Sequence, residues 1–161
     1  MAGGSKAEFP PLLAGGLHKM SVADLSELCV TRFPLSKRRE SIMHSLEALL
    51  ANLSSAGVKA EAWINGSFLT EKIDPDDVDL VVLVQQPDWP SDQGGKEALA
   101  RVARQEFKNP LKCDSYLSIE YPAGHSLNAF GLKQRDYWLK QFGESRGGTN
   151  KGLAVLDIPI K

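Results

Sequence analysis

The chain has 161 residues, 42% of them hydrophobic, enough for one compact domain with its own core and too few for two ordinary ones. Its 19 basic and 20 acidic residues leave a formal net charge of -1, so no overall field draws it to nucleic acid or an anionic membrane. Two isolated cysteines, Cys29 and Cys113, exclude a disulfide framework and a structural zinc site, and without a signal-like N-terminus or an apolar run of about 20 residues the expectation is a soluble cytoplasmic protein.

Residues 1 to 20 hold Gly3, Gly4, Pro10, Pro11, Gly15 and Gly16, which predicts an extended arm pinned to the domain by Phe9, Leu12, Leu13 and Leu17. Ser21 caps a short predicted helix through Cys29, which Pro34 ends. A second cap at Ser36 opens a helix in which Ile42, Met43, Leu46, Leu49, Leu50 and Leu53 recur at helical spacing as far as Gly57. Alternation over residues 58 to 65 predicts a strand with Val58, Ala60, Ala62 and Ile64 on one face, ended by the turn-forming Gly66-Ser67.

Val78 to Val84 is a nearly continuous run of valine and leucine, as in an interior strand covered on both faces. Pro87 to Gly95 reads as a loop, Ala98 to Phe107 as a helix closed by Asn109-Pro110, and residues 111 to 119 as a strand. Tyr121 to Phe130 reads as a loop, Lys133 to Phe142 as a helix, and Leu153 to Ile160 as a final strand. The order describes an α/β sandwich with helices packed on a small mixed sheet.

The chemistry concentrates in Ile64 to Val84. Side chains alternate along a strand, so Asp77 and Asp79 share one surface while Val78 and Leu80 point to the other. Two like charges held close repel unless solvent or a cation offsets them, and magnesium suits both carboxylate oxygens and the phosphate oxygens of a nucleoside triphosphate. Gly66 at the strand end lets backbone N–H groups approach an anion, and Ser67 adds a hydroxyl donor. Taken alone, a Gly-Ser pair is an ordinary turn and an Asp-x-Asp an ordinary solvated loop; their order and context sharpen the signal.

A strand ending in Gly-Ser, a short connection and then Asp-x-Asp opening an apolar strand resembles the polymerase-beta-type nucleotidyltransferase superfamily. Nine residues separate Ser67 from Asp77, about one fewer than is common in its minimal, antitoxin-like members. The stretch from Phe9-Pro10-Pro11 through Arg38-Arg39 to Val84 also resembles an uncharacterised bacterial family of such domains. The resemblance implies one nucleotidyltransferase-like domain over residues 1 to 161, with residues 1 to 34 an arm and short helix packed on it.

It further implies transfer of a nucleoside monophosphate from a triphosphate such as ATP to a hydroxyl, with a two-metal magnesium site held by Asp77 and Asp79. The third carboxylate falls to Asp114, with Glu120 as the fallback; Asp114 has the plainer reading of a loop residue paired with Lys112. Lys72, Arg135, Arg146 and Lys151 are candidates to neutralise the triphosphate, each with the alternative of a solvated surface residue. Lys151, in a glycine-rich loop before the last strand, joins Gly66 and Ser67 as a nucleotide-binding candidate.

Positive charge at Arg38 and Arg39 opposes the dipole of the helix they start, and a salt bridge to Glu40 or Asp24 is the expected explanation. Tyr137, Trp138 and Phe142 read as core, and Trp89 in its polar loop as a candidate partner surface. The chain has no room for a helical acceptor-binding domain, which favours a minimal transferase acting on a protein or small-molecule hydroxyl, a toxin-like partner among them. The competing reading is a non-catalytic module or antitoxin that keeps the fold and acts by protein contact. A nucleic-acid binder is disfavoured by the neutral charge balance.

Overall fold

A computed structural model describes residues 8–109, 111–145 and 147–160 as a mixed α/β fold. Five strands, β1 Gly16–Lys19, β2 Ala60–Asn65, β3 Val78–Gln85, β4 Cys113–Glu120 and β5 Gly152–Ile158, form one sheet in the order β1-β5-β2-β3-β4. The β5-β2-β3 centre is antiparallel, while the outer pairs β1-β5 and β3-β4 are parallel. Helices α1 Val22–Ser26, α2 Arg39–Ser55, α3 Gln93–Ala103 and α4 Asn128–Gly143 flank it. No helix among the described residues is long and apolar enough to cross a membrane.

The apolar stripe of α2 is buried throughout, and it packs with Leu25, Leu99 and Val102 against Ala62, Ile64, Leu80, Val82, Ala154 and Leu156 on one face of the sheet. The helix ends where the spacing predicts. Gly57, at φ 78°, donates to the carbonyl of Ser54, and Val58 donates to that of Leu53, the paired bonds of a left-handed helix stop. At its start the Ser36 hydroxyl accepts from the amides of Arg38 and Arg39, so the predicted cap operates although the regular turns begin at Arg39. Ser21 and Asp24 form a reciprocal capping box on α1.

On the opposite face a smaller cluster of Trp63, Val81, Leu83, Leu153 and Val155 packs against Tyr116, Trp138, Leu139 and Phe142. Helix α4 covers this side. Trp138 and Phe142 belong to the cluster as expected, but Tyr137 is 53% exposed because it points off the buried stripe of α4.

Several boundaries differ from the expectation. The arm is partly built into the sheet: Gly16–Lys19 is an edge strand paired with β5, and Leu25, Leu28 and Cys29 lie in the large core. Upstream, Leu12 N–H donates to Leu69 and Glu71 N–H to Pro10, so main-chain bonds rather than apolar contacts alone fasten that segment. Helix α3 starts inside the predicted loop because Asp92 caps it by accepting from Gly95 N–H, and it stops at Ala103, followed by Gln105 at φ 58°. Helix α4 begins at Asn128, five residues before its apolar pattern shows. Gly3, Gly4, Pro110 and Arg146 lie outside the described residues.

Candidate functional site

Asp79 is the second residue of β3. Register pairs it with Asn65 on β2 and with Asp114 on β4, so the three occupy one row across adjacent strands. The next row is Trp63, Val81 and Tyr116, members or neighbours of the small cluster under α4. Two-residue alternation therefore puts Asn65, Asp79 and Asp114 on the α4 face, while Val78 and Leu80 go to the large core. Asp77, one residue before β3, is of the same parity as Asp79, as the alternation predicts.

Gly66 explains how the carboxylate reaches the surface. It adopts φ 87° and ψ -167°, a conformation essentially restricted to glycine. A Cβ built there would sit 2.6 Å from Asp79 Oδ2. Ser67 then opens a single 3-10 turn, Ser67–Leu69, whose closing residue Thr70 donates its hydroxyl to the Ser67 carbonyl.

Asp77, Asp79, Gly66, Ser67, Lys72 and Lys151 line one cavity of about 420 Å³, with Asn65, Gln141, Phe142 and Glu144. A second cavity, of about 440 Å³, adjoins it through the shared Glu144 and Lys151. Six of the residues singled out in the sequence thus come together, and Lys151 faces both cavities.

Asp114 shares the row but is not among the residues lining that cavity. Its Oδ1 accepts from Gln105 Nε2 at 3.0 Å, its Oδ2 from the Tyr116 hydroxyl at 3.4 Å, and Lys108 Nζ stands 3.9 Å away. The basic partner is Lys108 rather than Lys112. Tyr116 has its hydroxyl pKa raised, first by burial and then by the charge on Asp114. Burial, with Asp77 adding to it, pushes the Cys113 thiol up to about 12, so this cysteine is an inert core residue.

Glu120, the fallback for the third carboxylate, lies far from the Asp79 row. It pairs in register with Gln85, six residues along from Asp114, about 20 Å on a strand. Arg135 binds Glu120 and lies over the Trp63 ring, so it too is spent away from the cavity.

The connection between Ser67 and Asp77 is organised from below by Arg39. This side chain is fully buried, and its nitrogens donate to the carbonyls of Cys29, Phe68, Thr70, Lys72 and Ile73. The rings of Phe33 and Phe68 lie 3.7 and 5.4 Å from its guanidinium carbon. Burial lowers its pKa, with Asp74 acting in the opposite sense. Arg38 pairs with Asp76, and Asp74 accepts from Ser36 Oγ and Lys37 N–H. Neither arginine uses Glu40 or Asp24 as expected; both serve the connection. Arg39 left no sequence signal beyond its awkward charge, because its partners are carbonyls about 30 residues away.

Of the five acidic residues on the cavity, Glu8, Asp76, Asp77, Asp79 and Glu144, the pair Asp77 and Asp79 is of the kind that suits a magnesium ion arriving with a triphosphate, since this cation commonly takes one or two protein carboxylates and completes its shell with phosphate oxygens and water. They do not amount to a protein cage: among the described residues no three His, Cys, Asp or Glu side chains are grouped to hold a metal.

No curated protein and no solved structure matches the chain. The signature of a family of unknown function, DUF6932, matches residues 7–157, nearly the whole length. The Gly66-Ser67 turn, the Asp77/Asp79 pair and all but the last residue of β5 fall inside that span, and the chain belongs to the DUF6932 family.

Proposed function

We propose that the protein is a magnesium-dependent nucleotidyltransferase, moving a nucleoside monophosphate from a triphosphate to a hydroxyl of a protein or small molecule. The observation that carries this reading is the meeting of Asp77, Asp79, Gly66, Ser67, Lys72 and Lys151 on one cavity, with the glycine backed directly onto the Asp79 carboxylate.

Asp77 and Asp79 would hold magnesium and so orient the nucleotide, and the ion would supply positive charge against the charge developing in the transfer. Ser67 donates its hydroxyl to a phosphate oxygen, and Lys72 and Lys151 neutralise the leaving pyrophosphate. In the transfer the acceptor oxygen bonds to the α-phosphorus as the bond to the pyrophosphate oxygen breaks. Asp114, beside Asp79 on the outer strand, takes the hydroxyl proton or orients the hydroxyl.

A second reading, a non-catalytic module acting by protein contact in the manner of an antitoxin, is favoured by the engagement of Asp114 with Gln105 and Tyr116. Calorimetric titration with ATP and the other three triphosphates, with and without magnesium, separates the two. Magnesium-dependent binding by the wild type, weakened at least about tenfold in Asp77→Ala/Asp79→Ala and in Gly66→Ala, is the expected result. A folded wild type that binds none of the four sinks the transferase and leaves the protein-contact module.

A further inference from the structure

Asn65 ends β2 in the row with Asp79 and Asp114, is 2% exposed, and lines the cavity. Its Nδ2 has no hydrogen-bond partner among the described residues. A buried amide donor without an acceptor destabilises a fold, and most buried polar groups are satisfied. The strand gives no structural reason for a polar residue here: Trp63, its predecessor on this face, is fully buried in the apolar cluster. Among the described residues, the other buried side-chain atoms without a partner, Ser118 Oγ and Trp138 Nε1, are not on the cavity lining.

The cavity has two chemical characters. The acidic residues of the lining, Glu8, Asp76, Asp77, Asp79 and Glu144, favour positive charge; the Asn65 amide, the Ser67 hydroxyl and the ammonium groups of Lys72 and Lys151 favour acceptor oxygens. One ligand that answers both is a polyphosphate carrying a divalent cation: its oxygens meet the donors while the cation bridges them to the carboxylates. A simple monovalent anion would meet the donors but bring no positive charge into a lining that carries more acidic than basic residues.

We propose that Asn65 is a binding residue of this cavity, its Nδ2 donating to an unbridged phosphate oxygen of a magnesium polyphosphate. This rests on the nucleotide reading of the cavity and assigns the contact to the phosphate chain rather than to base or sugar. The amide is kept in an unsatisfied position by the fold and is satisfied on binding, so the same side chain weakens the free protein and strengthens the complex.

The test uses inorganic tripolyphosphate and ATP, each with magnesium, on the wild type, on Asn65→Leu, which keeps the number and branching of side-chain heavy atoms and removes the donor, and on Asn65→Ala, in case the larger leucine does not fit. The expected result is a free variant with a melting temperature equal to or above that of the wild type and an affinity for magnesium tripolyphosphate lower by about tenfold or more. Unchanged affinity in a folded variant overturns the proposal, and so does loss of stability in both free variants, which would make the amide a structural group. A wild type that binds magnesium ATP but not tripolyphosphate overturns the phosphate assignment while keeping the nucleotide reading. A wild type that binds neither overturns both.

Discussion

The two faces of the sheet are built to different ends. The face under α2 and α3 is continuous and apolar from Val78 to Val84 and from Ala62 to Ile64, and the helices above it meet it with leucine, isoleucine, methionine, alanine and valine. The face under α4 has one apolar row, Trp63, Val81 and Tyr116, set between Glu61, Leu83 and Ser118 on one side and Asn65, Asp79 and Asp114 on the other. One face provides the cohesion of the fold, which lets the other leave charge and an open cavity at one end. The same strand serves both, because alternation keeps the two sets of side chains apart.

The comparison is broken most severely at the one residue that serves both sides. Arg39 lies in the α2 layer yet holds the main chain that leads to Asp77. Replacement by methionine, which leaves several carbonyls without donors, should cost about 4 kcal/mol in chemical denaturation and abolish nucleotide binding in whatever remains folded. A variant as stable as the wild type would show that the carbonyls find water instead.

Substitutions within the two layers sharpen the contrast. Leu46→Ala, at a fully buried position of α2, should cost about 3 kcal/mol, whereas Phe142→Ala on half-buried α4 should cost about 1 kcal/mol. Hydrogen exchange should accordingly find α4 opening before α2. Equal costs would mean that α4 is as tightly integrated as the core layer.

The smallest effect is expected at Asp74. Hydrogen bonds from Lys37 N–H and Ser36 Oγ hold its carboxyl below the ordinary value of 3.8. A carboxyl depressed by folding contributes stability that is present in full above that ordinary value and is lost as pH falls through the depressed one. The stability difference between wild type and Asp74→Asn should be constant near neutrality and vanish in strong acid. A difference that persists there would assign the effect to hydrogen bonding rather than ionisation.

Much of this was legible in the residues. The large core face announces itself through leucine spacing in α2 and the valine run of β3, and the cavity's carboxylates through the parity of Asp77 and Asp79. What escaped depended on partners distant in sequence. Asn65 looks like an ordinary strand-ending residue until register sets it beside Asp79, and the bonds of Asp114 to Gln105 and Tyr116 need the tight turn after α3. The arm misled because its glycines and prolines suit irregular chain, yet an edge strand of four residues needs little propensity of its own once β5 offers it hydrogen bonds.

Arg39 also acts as a ruler. It grips the connection at the carbonyls of residues 68, 70, 72 and 73, groups that every amino acid carries, so the span between the serine hydroxyl and the aspartates is measured off by a side chain outside the loop. The outward side chains of Glu71 and Ile73 take no part in that measurement and are exposed to solvent. The outer face of the connection can therefore be rewritten in chemistry without altering the spacing that Arg39 sets beneath it.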